Sequence, residues 1–519
     1  MRAVGLFLFA VALAGVGEGA VAAPATDRFK DPNYLCDGRI APPSQTQVFT
    51  EALIGAATAG VLGLLIPFPG DNPKPAYGQA GLDACTIAIA QATHDIRRAQ
   101  LTLARSIHRI ELKDYAGALD EAKAAPALAG RYADEPGFKR SLGRAALAVQ
   151  GVALAGLGRY EEAQSVGLQI AETSPLDVRA IAWAYPFSDL TDPLTPAKRA
   201  YFETAAKLDP KVVLMWAQRA ELVGDFPQAA AFRADYHAYA QQFDAISAAG
   251  PESAAGRALA YALAGDAVRS EVAAGEALAA LDPVVGVSLD SGRRQIAEEL
   301  LDHRQVALLI ADGRLAEARA RVLARKRWKV EVTPSVLWII EALRPTATPA
   351  ELKGLLAVDA KAVRAQDLKI RRDWVTNRAT VERLFQMLVY EAPTAYGPVA
   401  ARVWTLGESS PFIVTSRDIS YSRGKMLKGD VFQLPDFRSD LGRQALLLHA
   451  ALRARARGAT AFALGPAGHS DGDAALWVVY RDPADGNFPI ITALDPEMVI
   501  AALAPRIPRP TQAPSTPGS

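Results

Sequence analysis

The sequence predicts a mainly α-helical protein, an array of helix-turn-helix pairs followed by a small C-terminal α+β module. Three observations carry this expectation. From Leu82 to about Lys329, alanine, leucine and arginine recur at three- and four-residue intervals, the period of a helix with an apolar face. Five short turns interrupt that pattern: Lys113-Asp114-Tyr115, Gly158-Arg159-Tyr160, Gly224-Asp225-Phe226, Gly265-Asp266-Ala267 and Gly313-Arg314-Leu315. Past residue 395 the helical period gives way to short β-branched and aromatic runs.

The chain begins Met1-Arg2, followed by an apolar run from Ala3 to Val16 and by Ala20-Val21-Ala22. A charged start, a hydrophobic middle and a small-residue cleavage site over residues 1–22 are the marks of a secretory signal peptide. The expectation is an exported, periplasmic protein, and the alanine- and arginine-rich composition suggests a GC-rich bacterium. Residues 23–84 form an arm holding both cysteines, Cys36 and Cys85. In an oxidising compartment two thiols in one small region read as one disulfide. Closing that loop stabilises by roughly 3–4 kcal/mol in the chain-entropy account. Cys36 does not directly follow the signal, so no lipid anchor is expected. Residues 52–66 are apolar all round and rich in small residues, and Pro67 and Pro69 end the run. Fifteen helical residues span about 22 Å, short of a hydrocarbon core. A buried helix packed through Ala56, Gly60 and Gly63 is the favoured reading. A membrane-inserted segment and an interfacial partner-binding segment are the alternatives.

The best-formed pair occupies residues 147–175. Gly151 lets a helix approach closely, and Gly158 opens the turn, where a left-handed backbone costs glycine least. Tyr160 and Ala163 share a face three residues apart, and Pro175 cannot continue the helix. In four of the five turns an alanine follows three residues after the large apolar position (Ala118, Ala163, Ala229, Ala318), and Ser270 takes its place in the fifth. Helix stops are expected at Ser174-Pro175, Asp209-Pro210 and Asp282-Pro283, with breaks at 186–196 and 345–349.

With its small, glycine, aromatic, alanine and proline positions, the stretch 147–175 resembles the tetratricopeptide repeat family. The resemblance implies an α-solenoid over residues 85–394, with 361–390 as its closing helices, and a surface that binds proteins or peptides. Successive turns are 45, 66, 41 and 48 residues apart, whereas the family repeat is 34. The remaining pairs are therefore either degenerate repeats or an unrelated helical array. Solenoids anchor partners through aromatic and arginine side chains. The candidates are Arg219, Arg233, Tyr236 and Tyr239, with core packing as the plainer reading of the tyrosines.

Within the module (395–505), strands are expected at 412–415, 431–434, 460–464 and 475–480. A helix is expected at 438–457, its leucines inward and its arginines outward, with a second at 496–503. Leu446 to Leu464 is weakly similar to small α/β modules of proteobacterial envelope proteins, which implies no particular activity. Residues 506–519 are proline- and serine-rich and read as a disordered tail.

Charge and chemistry narrow the function. Lys and Arg number 57 against 56 Asp and Glu, a net charge of +1, so no broad field favours nucleic acid or an anionic membrane. The six histidines (His94, His108, His237, His303, His449, His469) are scattered singly, without metal-ligand spacing. No phosphate-binding or dinucleotide glycine loop occurs, so neither cofactor nor metal is expected. His469-Ser470-Asp471 is the most crowded polar loop, but it lacks the constrained elbow of a serine nucleophile. The leading expectation is a non-enzymatic, exported scaffold mediating protein–protein interactions in the bacterial envelope. An envelope hydrolase using the His469 loop and a membrane-tethered assembly factor using residues 52–66 are the alternatives.

Overall fold

The protein, seen as a computed structural model, is mainly helical. The structure describes residues 30–39, 74–188, 190–191, 195–209, 211–242, 250–281, 291–324, 334–353, 356, 358–391, 403–404, 418–420, 426–428, 430–434, 440–464, 474–481, 492–507 and 509. The arm is more ordered than its composition suggests. Asp31 accepts a hydrogen bond from the Asn33 amide, and Pro32 presets the first turn of α1 (Pro32–Asp37). Helix α2 (Gly78–Gln91) begins four residues before the helical period becomes visible in the sequence. The Cys36–Cys85 disulfide joins the two.

The five turns among the described residues share one construction. Their first residues have positive φ: 62° at Lys113, 73° at Gly158, 83° at Gly224, 79° at Gly265 and 74° at Gly313. That conformation turns two amides back onto the finished helix. At the fourth turn Gly265 donates to the Ala262 carbonyl at 3.1 Å and Asp266 to the Tyr261 carbonyl at 2.9 Å. The same pair of bonds recurs at the other four, a Schellman closure each time. The next residue already caps the following helix. Asp114, Asp225 and Asp266 accept from the amides of Gly117, Gln228 and Arg269. Arg159 and Arg314 instead hold Glu162 and Glu317 with two hydrogen bonds each.

These turns join α3 (Asp95–Glu111) to α4 (Tyr115–Leu128) and α5 (Arg144–Gly156) to α6 (Tyr160–Thr173). Two single helices follow, α7 (Val178–Ser188) and α8 (Pro196–Leu208). The remaining pairs are α9 (Lys211–Val223) with α10 (Phe226–Gln242), α11 (Pro251–Leu263) with α12 (Ala267–Leu281), and α13 (Ser291–Ala311) with α14 (Leu315–Leu323). The small residue of each second helix, Ala118, Ala163, Ala229, Ser270 or Ala318, is completely buried where the two helices meet. Ser270 is tolerated there because its hydroxyl donates to the Ala258 carbonyl at 2.8 Å and accepts from Arg304 Nε at 2.7 Å.

Several expectations need correcting. Gly151 does not admit its hairpin partner: an added Cβ would sit 2.9 Å from the Phe187 ring, so it is α7 that the glycine lets in. Pro186 lies inside α7 rather than in a loop. It is tolerated because the helix stops two residues later and only its last turn is affected. Helices α15 (Pro334–Leu343), α16 (Ala360–Val375) and α17 (Arg378–Gln386) do not simply close the far end of the array. Helix α17 packs on α3 and α5, and α16 lies against α5, α7 and α15. The Gln100 side chain donates to the Leu388 carbonyl at 2.6 Å, joining the two ends of the helical region.

The module contains strands β1 (Asp418–Ser420), β2 (Met426–Lys428), β3 (Asp430–Leu434), β4 (Ala461–Leu464) and β5 (Ala474–Arg481), with helices α18 (Asp440–Ala456) and α19 (Pro496–Leu503). Strands β3, β5 and β4 form an antiparallel sheet in that order, with Val431 opposite Trp477 and Phe462 opposite Tyr480. The expected strand at 412–415 lies outside the described residues. Helix α18 was expected to bury one stripe. Nearly all of it from Gly442 to Ala454 is covered instead, because α19 and the sheet pack on different sides. Nor does the module hold a separate core: one apolar cluster runs from Cys36 through α3–α8 and α17 to Leu503 and Ile507. The start of the tail is fixed too. Ile507 is fully buried, its carbonyl accepts from Trp404 Nε1 at 3.0 Å, and Arg506 donates to the Thr173 carbonyl at 2.8 Å.

The turn residue gives a test with opposite signs. Gly265→Val puts a β-branched side chain at φ 79°, where space is open but the backbone is strained. It should cost about 1–2 kcal/mol in urea unfolding. Lys113→Gly relieves the same strain at φ 62° and should be neutral or stabilising. Equal destabilisation by both would show that the conformation is not what these positions select.

Candidate functional site

Of the four residues expected to face a partner, Arg219, Tyr236 and Tyr239 are buried and Arg233 is partly buried. Tyr236 and Tyr239 on α10 and Arg219 on α9 are at most 9% exposed. The Tyr239 hydroxyl donates to the Leu464 carbonyl at 3.4 Å, tying α10 to β4. Arg233 Nε donates to Oε1 of the fully buried Glu221 at 2.6 Å, and Trp338 Nε1 donates to the Glu221 carbonyl at 2.8 Å. The reason is positional: α9, α11 and the module surround α10, so its aromatic and basic side chains link layers instead of meeting solvent.

A second set of arginine–aromatic contacts holds the returning helices. Arg372 lies 3.9 Å from the Tyr160 ring centre and donates through Nε to the Leu190 carbonyl at 3.2 Å. Arg383 covers Trp183 at 5.0 Å, Arg378 covers Tyr77 at 5.1 Å, and Arg364 covers Trp338 at 4.7 Å. Such contacts contribute about 0.5–1 kcal/mol each at exposed sites. Tyr160 is thus half-buried under α16, while Ala163 beside it is fully buried. At Gly158 an added Cβ would touch nothing, so that position is set by backbone conformation alone. Pro175 follows the end of α6, and Leu176 takes a left-handed φ of 61° as the chain turns toward α7. The arginines and their rings are separated by up to 300 residues in sequence, and no local pattern announces the pairing.

Two further clusters of buried titratable groups tie helices together. Near the disulfide, Asp37 pairs with Arg97, and burial still pushes its carboxyl above the ordinary range. His108 bridges the Cys36 carbonyl and Glu111, both at 2.8 Å, and Glu111 also accepts from the Gly78 amide. Gly81 makes room for this bridge, since a Cβ there would lie 2.3 Å from the imidazole. These groups clamp α1 and α2 onto α3. Between the third and fourth hairpins, His237 on α10 lies 3.2 Å from Glu276 on α12, which also pairs with Arg257 on α11. Burial, and after it the Arg257 guanidinium, push His237 down to about 4, with Glu276 opposing.

One open surface lies between the third and fourth hairpins. A shallow cleft of about 440 Å³ is lined by Pro227, Ala230, Tyr261, Ala264, Val268 and Arg269 among others. Val268, Val272 and Leu278 beside it are 77%, 60% and 59% exposed. Sequence reasoning passed over these residues because α12 is apolar on two faces, and the inner alanine face hides the outer one. Among the described residues no group of three or more His, Cys, Asp and Glu side chains could hold a metal ion. No described helix is long and apolar enough to cross a membrane. The His469-Ser470-Asp471 loop and residues 52–66 lie outside the described residues. Compared with known family models, curated proteins and solved structures, the chain matches none.

Two outcomes are expected. Arg233→Ala strands the buried Glu221 carboxylate and should cost about 3–5 kcal/mol in chemical denaturation, far more than loss of a surface anchor. His237 has a folded pKa near 4, below its value of about 6.5 in an unfolded chain, so the unfolded state binds the proton first. Its contribution is complete above about pH 6.5 and is lost as pH falls toward 4, by up to about 3 kcal/mol. Urea midpoints at pH 5 and 7 should therefore converge in His237→Leu relative to the parent protein.

Proposed function

We propose that this protein is an exported helical-repeat scaffold, similar in plan to tetratricopeptide repeat proteins, that mediates protein–protein contacts in the bacterial cell envelope. The observation that supports it best is the recurrence of one hairpin: five times a helix closes on a left-handed residue, the next residue leads straight into a second helix, with an aspartate cap in three of the five, and a small buried side chain follows. A hairpin of this kind cannot bury its own apolar face, so it gains stability by stacking, and stacked hairpins present long surfaces. The signal-like first 22 residues and the disulfide between α1 and α2 support export. On this reading the module docks on the array through Tyr239, Arg506 and the shared core, and serves it as a brace.

The α-solenoid proposed here differs from an open one, because α16 and α17 already occupy the face of α3, α5 and α7. Partners would therefore meet the outer surfaces, above all the exposed part of the fourth hairpin.

The scaffold reading is tested by crosslinking in living cells followed by affinity capture of tagged full-length protein. The parent protein and a His469→Ala, Ser470→Ala variant should recover the same envelope partners and support the same growth phenotype. If that variant keeps its circular dichroism melt and its partners yet loses the phenotype, the chain acts as an enzyme and the scaffold reading fails.

A further inference from the structure

Helix α12 carries a second apolar face that none of the described residues covers. Its inner face, Ser270, Ala273, Ala274, Ala277 and Leu281, is buried, and α12 packs mainly on α11. On the opposite side Val268, Val272, Gly275 and Ala279 recur at i, i+4, i+7 and i+11, all exposed, and a Cβ added at Gly275 would meet nothing within 4 Å. In other hairpins the second helix receives its successor: α4 packs with α5, α6 with α7, and α10 with α11. Helix α13 packs chiefly on α11 instead and only grazes α12, which leaves the outer stripe open.

We propose that this stripe is a homodimer seam, closed by α12 of a second copy of the chain running antiparallel. The inference rests on the reading of the fourth hairpin as a docking surface and names its occupant. Shape is the first argument. A two-fold axis midway between residues 273 and 274 sets Val272 against Gly275 of the second copy and Val268 against Ala279. Each large side chain then meets a small one at all four places, and the glycine lets the helix axes approach closely.

Charge is the second argument. Arg269 and Glu276 stand seven residues apart on one flank of the stripe, with side chains 69% and 41% exposed, Arg269 already pairing with Asp266 and Glu276 with Arg257 and His237 within the chain. An antiparallel two-fold places like flanks together with their order reversed. Arg269 of each copy therefore faces Glu276 of the other, giving two ion pairs at the edge of the seam. A parallel arrangement would put the two Arg269–Glu276 flanks on opposite edges of the seam, where neither pair forms. At the Val268 end the apolar surface continues into the cleft beside Pro227 and Tyr261. Seam and cleft together make a modest interface, so association is expected near micromolar concentration.

Sedimentation velocity of the full processed chain, over a series reaching about 100 μM, tests this. The parent protein should move from the mass of one chain to twice that mass. Val272→Glu and Ala279→Glu should each remain monomeric with an unchanged circular dichroism melt, shifting the dissociation constant at least tenfold. The proposal is overturned if the parent chain stays monomeric across the series or if the dimer survives either substitution. A monomeric parent whose Val272→Glu variant loses an envelope partner in cells would assign the stripe to that partner, ending self-association while keeping the scaffold reading.

Discussion

The left-handed residue at the head of each hairpin is the constraint on which the rest of the structure depends. It reverses the chain between helices while leaving only two or three residues outside them, and its two amide hydrogen bonds satisfy carbonyls that the helix end would otherwise expose. So short a link forces the second helix against the first within its opening turn. Only a small side chain fits there, which explains the complete burial of Ala118, Ala163, Ala229, Ser270 and Ala318. Backbone conformation, capping and packing agree at each turn, and that agreement makes the pair cooperative.

The same constraint explains what could be read from the sequence. The turns were legible because glycine before aspartate or arginine, with a small residue four or five positions on, is a local pattern with a local cause. Their irregular spacing was visible too, but its cause lay in packing. The 66 residues between Gly158 and Gly224 hold α7 and α8, two helices inserted between hairpins, and Phe187 of α7 fills the space above Gly151 and Gly167. The helix expected at 496–503 is present, and Asp495 accepts from the Glu497 amide at its start.

Long-range arrangement was not legible. Tyr236, Tyr239, Arg219 and Arg233 have the composition of a binding surface, and only the packing of α9, α11 and β4 around α10 makes them structural. Arginine over a ring serves an external ligand or an internal helix equally well, since the attraction comes from the ring face. Which of the two applies depends on where α16 and α17 return. Helix α12 presents the reverse case. Its apolar residues read as core, but half of them face outward because α13 chose α11 as its neighbour.

The joined ends have a consequence for how the chain is made. Gln100 waits for Leu388, Thr173 for Arg506, and Arg140 for both Glu391 and the Arg506 carbonyl. Hairpins near the amino terminus thus emerge from the ribosome hundreds of residues before the segments that cover them. Until those arrive, the apolar sockets that Phe385 and Ile507 fill in the folded chain lack their occupants. A stop codon a few residues before Arg506 would be felt first in the oldest part of the polypeptide.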